Sequence, residues 1–321
     1  MNTSNIHNTP IDILYLWCDM NDEHWNERRK EEVEKWSDKM KFADADIVSR
    51  YQSHDELRYS LRSVAMYAPW IRNIFIVVCD YATLPSWLNT SHPRLRIVRH
   101  SEIIPSQYLP CYNSVTIEHY ISRIPELSEY FLYANDDMFF FDYVTPDFFF
   151  EDNGLPKKRV IAERNHPEDG YYFLTIENSL QLVETHHPEL NAADIDLLSL
   201  LPHHGIDAYR KSHNIATYER YHESIEASIK CPFRCKSDIQ RVIYLMEEVA
   251  TYGATNVIIN NLTPYSICST GKRWRKQFEN VLRLRPKLLC LNATHDNDAD
   301  DFQWLTLVQQ MLYPEKSEYE I

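Results

Sequence analysis

Glycine is scarce, with five among 321 residues. No G-x-G-x-x-G string and no Walker A string occurs. The glycine-cradled phosphate sites of dinucleotide-binding and P-loop proteins are therefore excluded. Long apolar runs are also missing. No stretch reaches the length that crosses a bilayer, and no basic segment precedes an apolar run near the start. A cytoplasmic protein without a transmembrane segment is expected, with room for a peripheral place at the inner face of a membrane. Positive charge is in deficit: 33 Lys and Arg stand against 47 Asp and Glu, a formal net charge of −14. Nucleic-acid binding relies on clustered cations that release counterions, so no nucleic-acid partner is expected. The seven cysteines are odd in number and form no paired C-x-x-C motifs. Cys231 and Cys235 lack a second pair at zinc-module spacing, so reduced, mostly buried thiols are expected. There is no internal repeat and no low-complexity segment.

What is present is ample core material: 44% of residues are apolar and 13% aromatic. Ile11 to Cys18 (IDILYLWC), Asn73 to Cys79 (NIFIVVC), Leu95 to Val98 and Tyr130 to Ala134 (YFLYA) read as buried strands. Helical patterns separate them: a charged one over Asp22 to Lys41, an amphipathic one opening at His54-Asp55-Glu56 and ended by Pro69, and a third over Ser114 to Ile121. Such alternation implies βαβ units. The expected fold class is α/β, Rossmann-like, with a mainly parallel sheet and a helical insertion or lid. Residues 1–10 read as a flexible start and 11–150 as the core. Residues 151–235, rich in His and Pro, read as the insertion. Residues 236–321 complete the core, with a helix over Asp238 to Tyr252 and two strands, Val257 to Ile259 and Leu288 to Leu291, returning to the sheet.

Ligands of parallel sheets bind beyond the carboxyl ends of the strands. Three strands here end in acids: Asp19, Asp80 and the pair Asp136-Asp137. Adjacent carboxylates at a strand end suit a divalent cation bound together with substrate phosphates, although an isolated pair also suits a turn. Asp55, Arg58 and Arg62 share one helix. Arg58 and Arg62 are one turn apart, so they can hold a diphosphate, or Asp55 and Arg58 can simply pair. His204 and Arg234 carry weak signals by themselves.

Taken in order, four blocks resemble the Stealth family of capsular polysaccharide phosphotransferases, which includes the lysosomal N-acetylglucosamine-1-phosphotransferase catalytic subunit. They are Ile11 to Asp19 (IDILYLWCD); Asp55 to Asp80 with Pro85 and Trp87-Leu88-Asn89; Asn113-Ser114 through Ile117-Glu118 and Arg123-Ile124-Pro125 to FLYANDDMFF at 131–140; and Cys290-Leu291-Asn292 with Pro314-Glu315-Lys316-Ser317. The resemblance implies catalytic roles for Glu118, Asp137, His204 and Arg234. It implies substrate binding by Asp19, Asp55, Arg58, Arg62, Asp80 and Asn113, and metal binding by Asp136, Asp137 and Asn292. Three positions depart from the pattern: Met20 and Tyr81 stand where the family has glycine, and Ala293 where an acid often follows Asn292. A glycine lets backbone approach a ligand closely, so donor placement can differ here.

The implied reaction is transfer of a hexose or N-acetylhexosamine 1-phosphate from a UDP-sugar, such as UDP-N-acetylglucosamine, to a carbohydrate hydroxyl. UMP is released, with Mg²⁺ or Mn²⁺ as cofactor. The partners are the UDP-sugar donor and an oligosaccharide or polysaccharide acceptor, in capsule or exopolysaccharide synthesis. Either His204 or Asp137 takes the acceptor proton. The alternatives are a metal-dependent glycosyltransferase that releases UDP, and a glycan-binding protein without catalysis. The acceptor, the linkage and the oligomeric state are not legible in the sequence.

Overall fold

A strand buried on both sides of its pleat must be covered on both faces, and three stretches of this chain meet that condition, Ile11–Leu16, Ile74–Val78 and Tyr130–Asn135. In the computed structural model, which describes residues 6–37, 51, 53–192, 200–259, 266–270, 274–292 and 299–321, they lie side by side. The order of elements is β1 (Ile11–Leu16), α1 (Glu23–Trp36), α2 (Glu56–Tyr67), β2 (Ile74–Val78), β3 (Leu95–Arg99), α3 (His100–Ile103), α4 (Ser114–Glu118), β4 (Tyr130–Asn135), β5 (Met138–Phe140) and β6 (Lys158–Arg164). There follow α5 (Tyr171–His186), β7 (Leu200–Pro202), β8 (Asp207–Arg210), α6 (Lys211–Ser228), α7 (Val242–Tyr252), β9 (Asn256–Ile259), β10 (Ser266–Thr270), α8 (Trp274–Leu284), β11 (Leu288–Asn292) and α9 (Ala299–Leu312).

The central sheet has the order β3-β2-β1-β4-β8. Its first four strands are parallel, and β8 runs antiparallel to β4. The pleat sorts the side chains cleanly. Ile13, Tyr15, Ile74, Ile76, Leu132 and Ala134 enter one core cluster. Leu14, Phe75, Val77, Phe131 and Tyr133 enter the other, on the opposite face. The chain steps outward from β1 to β2 and β3, then returns to place β4 on the other side of β1. That reversal is the switch point at which α/β sheets bind ligands. Asn135 and Asp137 leave β4 there, opposite the Trp17-Cys18-Asp19 exit of β1.

The mainly parallel α/β core thus agrees with the sequence, and its periphery differs. Residues 151–235 are no purely helical lid, because β8 pairs with β4 and closes one edge of the central sheet. The two late strands do not return to that sheet. β11 joins β10 and β5 in a second sheet, and β9 joins β6 and β7 in a third. Short apolar strands look alike in sequence whichever sheet they enter. The start of the chain is also less frayed than its polarity suggests: Ile6–Asn8 form a 3₁₀ turn, and Ile6 is buried. Among the described residues no helix is long and apolar enough to cross a membrane.

Candidate active site

The corner Asn135-Asp136-Asp137 joins the two sheets. β4 ends in the central sheet at Asn135, Asp136 and Asp137 turn, and β5 pairs with β11 in the second. Ser60 Oγ donates to the Met138 carbonyl at 2.5 Å, and Phe140 N–H donates to Ser63 Oγ at 3.0 Å, so α2 braces β5 from behind. The Leu291 N–H donates to the Asp137 carbonyl at 2.9 Å. Asp137 is therefore held through its backbone while its side chain faces the switch point.

His204 reaches this corner because β8, which follows it closely, pairs with β4 in a register that sets Asp207 opposite Tyr133. Cys290 reaches it from β11, where it lies opposite Met138. One ligand atom each of Asp137, His204 and Cys290 fall within 4.8 Å of one another. The Cys290 thiol hydrogen-bonds the Asp137 carboxyl. Asp137 Oδ1 is shut off from solvent, with no hydrogen-bond partner among the described residues. Burial raises the Asp137 carboxyl pKa above the usual range, against the pull of His204 and Cys290. Burial lowers the His204 imidazole, Asp137 pulls it back up, and the Arg241 charge lowers it further. The net lowering favours the neutral imidazole.

Glu118 ends α4 behind the corner. The Tyr133 hydroxyl donates to Glu118 Oε1 at 2.9 Å and lies 3.0 Å from Asn135 Oδ1, so one tyrosine links the acid to the turn. Burial raises the Glu118 pKa; Arg241, with Nε at 3.7 Å, and Tyr133 lower it. Arg241 also donates to Asp207 Oδ2 at 2.6 Å and to the Tyr209 hydroxyl at 2.8 Å. This buried cation, seated between Glu118 and Asp207, was not legible in the sequence.

Arg234 stands at the other end of α4. Its Nη2 donates to Ser114 Oγ at 3.2 Å, and its guanidinium lies 5.1 Å over the Tyr171 ring. Among the described residues no carboxylate is within ion-pair distance of it. Asp238, the acid four residues on, is engaged elsewhere: Oδ2 accepts from Tyr171 Oη at 2.5 Å, Asn113 Nδ2 at 2.8 Å and the Cys235 N–H at 3.0 Å. Asn113 is fully buried, caps α4 by accepting from Val115 N–H, and ties that helix to the Arg234 turn, so it braces α4.

Arg58 and Arg62 are both partnered within the fold. Both donate to Glu320, Arg58 Nε at 2.6 Å and Arg62 Nε and Nη2 at 2.8 Å each. A diphosphate finds neither guanidinium unpartnered. Burial alone raises the Glu320 carboxyl; hydrogen bonds from Arg62, the Ser317 N–H and Arg58 outweigh it and hold the pKa at about 2. A carboxyl whose folded pKa lies below its unfolded value stabilises the fold above the unfolded value, near 4.5, and loses that contribution as pH falls toward 2. The Glu320→Gln variant is expected to lack this part of the acid loss. Melting curves between pH 6 and about 2.5 check it; parallel curves for both proteins reject the assignment.

Asp19 and Asp55 line a cleft beside the corner, together with Trp17, Asp22, Pro85 and Trp87. Asp55 precedes α2 with φ 63°, a left-handed conformation that Asp tolerates better than most residues. Asp80 is exposed and accepts from the Ser101 hydroxyl and N–H. It is absent from the lining of that cleft.

The metal reading divides in two. Glu56, Asp136 and Asp137 crowd together. Burial first, and Asp137 and Asp55 after it, raise Glu56 to about 7. Burial, Glu56 and Asp137 raise Asp136 well above the carboxylate range. An all-oxygen set under mutual repulsion fits a hard ion such as Mg²⁺ or Mn²⁺. Asn292 lies two residues beyond Cys290 in β11 and so shares its face of the strand. The Asp137, His204 and Cys290 atoms form a different set, with nitrogen and sulfur, which does not suit a hard ion. Cys290 and Tyr133 were not singled out in the sequence because each lies within an apolar stretch that reads as core, and Glu56 because it reads as part of a charged helix start.

Residues 50–158, which hold Glu118 and the corner, match the family model described as Stealth protein CR2, conserved region 2. A capsular polysaccharide phosphotransferase of Neisseria meningitidis serogroup B is 35% identical over 91% of this chain and 79% of its own. The chain belongs to the Stealth family. An exopolysaccharide phosphotransferase of Streptomyces coelicolor is 31% identical over 97% of this chain, which spans 33% of that Stealth relative's length. A solved galactosyltransferase, LgtC, superposes with a TM-score of 0.45 at 10% identity, covering 94% of this chain and 95% of its own. That likeness is too distant to bear on the chemistry. The Stealth chain described here presents Asp137 and His204 together, Glu118 one tyrosine away, and Arg234 across α4.

Proposed function

We propose that this chain transfers a sugar 1-phosphate from a UDP-sugar to a carbohydrate hydroxyl and releases UMP, in capsule or exopolysaccharide synthesis. One observation carries the reading: the His204 imidazole lies beside the Asp137 carboxyl at the switch point of an α/β sheet. The named activities of the Stealth relatives support it. The acceptor oxygen attacks the sugar-bearing phosphorus, the bond from that phosphorus to the bridging oxygen of UMP breaks, and a phosphodiester forms. His204 takes the acceptor proton, and Asp137 stabilises the imidazolium that results. Arg234, without a carboxylate partner among the described residues, holds the phosphoryl oxygens as negative charge shifts toward the leaving group. Glu118, fixed by Tyr133 and Arg241, sets the floor of the site. The cleft between Trp17 and Trp87 offers ring faces to the uracil, and Asp19 and Asp55 offer acceptors to ribose hydroxyls. Mg²⁺ or Mn²⁺ held by Asp136 and Asp137, with Glu56 close by, supplies charge neutralisation of the diphosphate.

Incubation with UDP-N-acetylglucosamine and an oligosaccharide acceptor is expected to yield UMP. UDP in its place establishes a glycosyltransferase, and donor binding without turnover establishes a binding protein. EDTA is expected to slow UMP release at least about tenfold, with recovery on adding Mg²⁺ or Mn²⁺. Full activity in chelator removes the cation from the mechanism.

A further inference from the structure

The hard-cation reading uses Asp137 but leaves its nearest ligand-bearing neighbours, His204 and Cys290, unexplained as a set. Three elements from distant parts of the chain bring them together: the turn after β4, the segment before β8, and β11. Their ligand atoms already lie within 4.8 Å of one another. A tetrahedral ion with bonds near 2.0 to 2.3 Å needs ligands roughly 3.5 Å apart, so small side-chain rotations close the gap. The set is one oxygen, one nitrogen and one sulfur, the mixture that borderline-soft ions prefer and Mg²⁺ does not. Asp137 Oδ1 is buried and unsatisfied among the described residues, and a cation satisfies it. Three protein ligands leave a fourth position for water. Leu291 N–H fixes the Asp137 backbone, and the Met138–Cys290 pairing fixes β11, so the two ligands on these strands are set by backbone pairing.

We propose that Asp137, His204 and Cys290 form a binding site for a borderline-soft divalent cation, with Zn²⁺ as its type, and that occupancy blocks transfer. On binding, the thiol gives its proton to solvent, the metal–sulfur bond forms, and the lone pair of His204 becomes a metal bond. The inhibitory half rests on the phosphotransfer reading given above; the binding half does not. An imidazole bound to metal cannot accept the acceptor proton, and Asp137 is withdrawn from the imidazolium. The ion therefore competes with the hard cation for Asp137 and disables the base in the same event.

Co²⁺ is the probe, because its visible and near-ultraviolet absorption reports low-symmetry coordination and thiolate ligation. Titration of the metal-free protein without donor is expected to give one site per chain, a thiolate-to-cobalt band, and displacement by Zn²⁺. Cys290→Ala is expected to lose that band and to weaken binding about tenfold or more. His204→Gln is the second variant and is expected to keep the band while weakening binding. If Cys290→Ala does not fold, the wild-type band and its weakening in His204→Gln decide the matter. A stoichiometric complex that is absent, or spectra identical in wild type and both variants, overturns the site. In the activity assay with Mg²⁺ present, the Zn²⁺ concentration that halves UMP release is expected to rise about tenfold in Cys290→Ala, each protein being compared with its own rate without Zn²⁺. An unchanged midpoint overturns the inhibitory role. Because the spectra need no donor, failure of the phosphotransfer reading leaves the binding result standing.

Discussion

Replacing Arg234 with lysine is expected to lower UMP release about a hundredfold or more while leaving the protein folded. Lysine keeps the positive charge and can still lie over the Tyr171 ring, so the cation–π contact largely survives. The Ser114 hydrogen bond, 3.2 Å long, is a minor loss. What disappears is the planar fork that meets two phosphoryl oxygens at once. A structural role predicts the reverse outcome, with lower stability and unchanged turnover per folded molecule. The structure already removes the obvious structural partner, because Asp238 gives its carboxylate to Tyr171, Asn113 and the Cys235 N–H. Melting temperature and UMP release measured on one sample separate the two. A destabilised but fully active Arg234→Lys protein rejects the catalytic assignment.

The largest stability effect is expected at Asp12, far from the chemistry. Asp12 is fully buried on β1. Oδ1 accepts from Arg72 Nε at 2.8 Å and from the Asn73 N–H at 3.1 Å; Oδ2 accepts from Arg72 Nη2 at 2.6 Å and from the Ser128 N–H at 2.7 Å. One carboxylate thus joins the entrances of β1, β2 and β4. In Asp12→Ala the Arg72 guanidinium, half in solvent, rehydrates at little cost. The two backbone N–H groups have no such recourse, and at about 1 to 3 kcal/mol each the loss is about 2 kcal/mol or more. Asp12→Asn keeps one acceptor oxygen but turns an N–H₂ toward the remaining donors, so it is expected to fall between wild type and alanine. Urea unfolding checks this; a loss below about 1 kcal/mol for alanine means that the network is looser than its distances indicate.

How much of this was legible follows from where the partners lie in the chain. The strands β1, β2 and β4 announce themselves because both faces are buried and nearly every residue is apolar, Asp12 and Asn135 being the exceptions. Their acidic ends therefore stand out, and Asp137 with them. The edge strand β8 does not announce itself: Asp207–Arg210 is four residues long and carries two charges, and its pairing with β4 decides its state. Arg58 and Arg62 look available in sequence because Glu320 lies 262 and 258 residues away. Asn113 sits in a family block and looks like a ligand contact, but its burial assigns it to the α4 cap. Cys290 is hidden for the opposite reason: within LLCLN it is one more small apolar residue, and only the β5–β11 pairing turns it onto Asp137. The expectation for Ala293 falls outside the described residues.

The corner at Asn135-Asp136-Asp137 is the point where two sheets are stitched together, and this makes the carboxylates passengers. Asp137 hangs from β4 on one side and from Leu291 on the other. Its side chain therefore reports the angle between the sheets, as a needle pivoted at a seam magnifies a small tilt of either plate. A substitution that alters the packing of β11 touches no substrate and is still expected to shift this carboxylate, because Leu291 holds the Asp137 backbone. In this architecture reactivity can drift through changes in the packing of a remote sheet, with every catalytic side chain left in place.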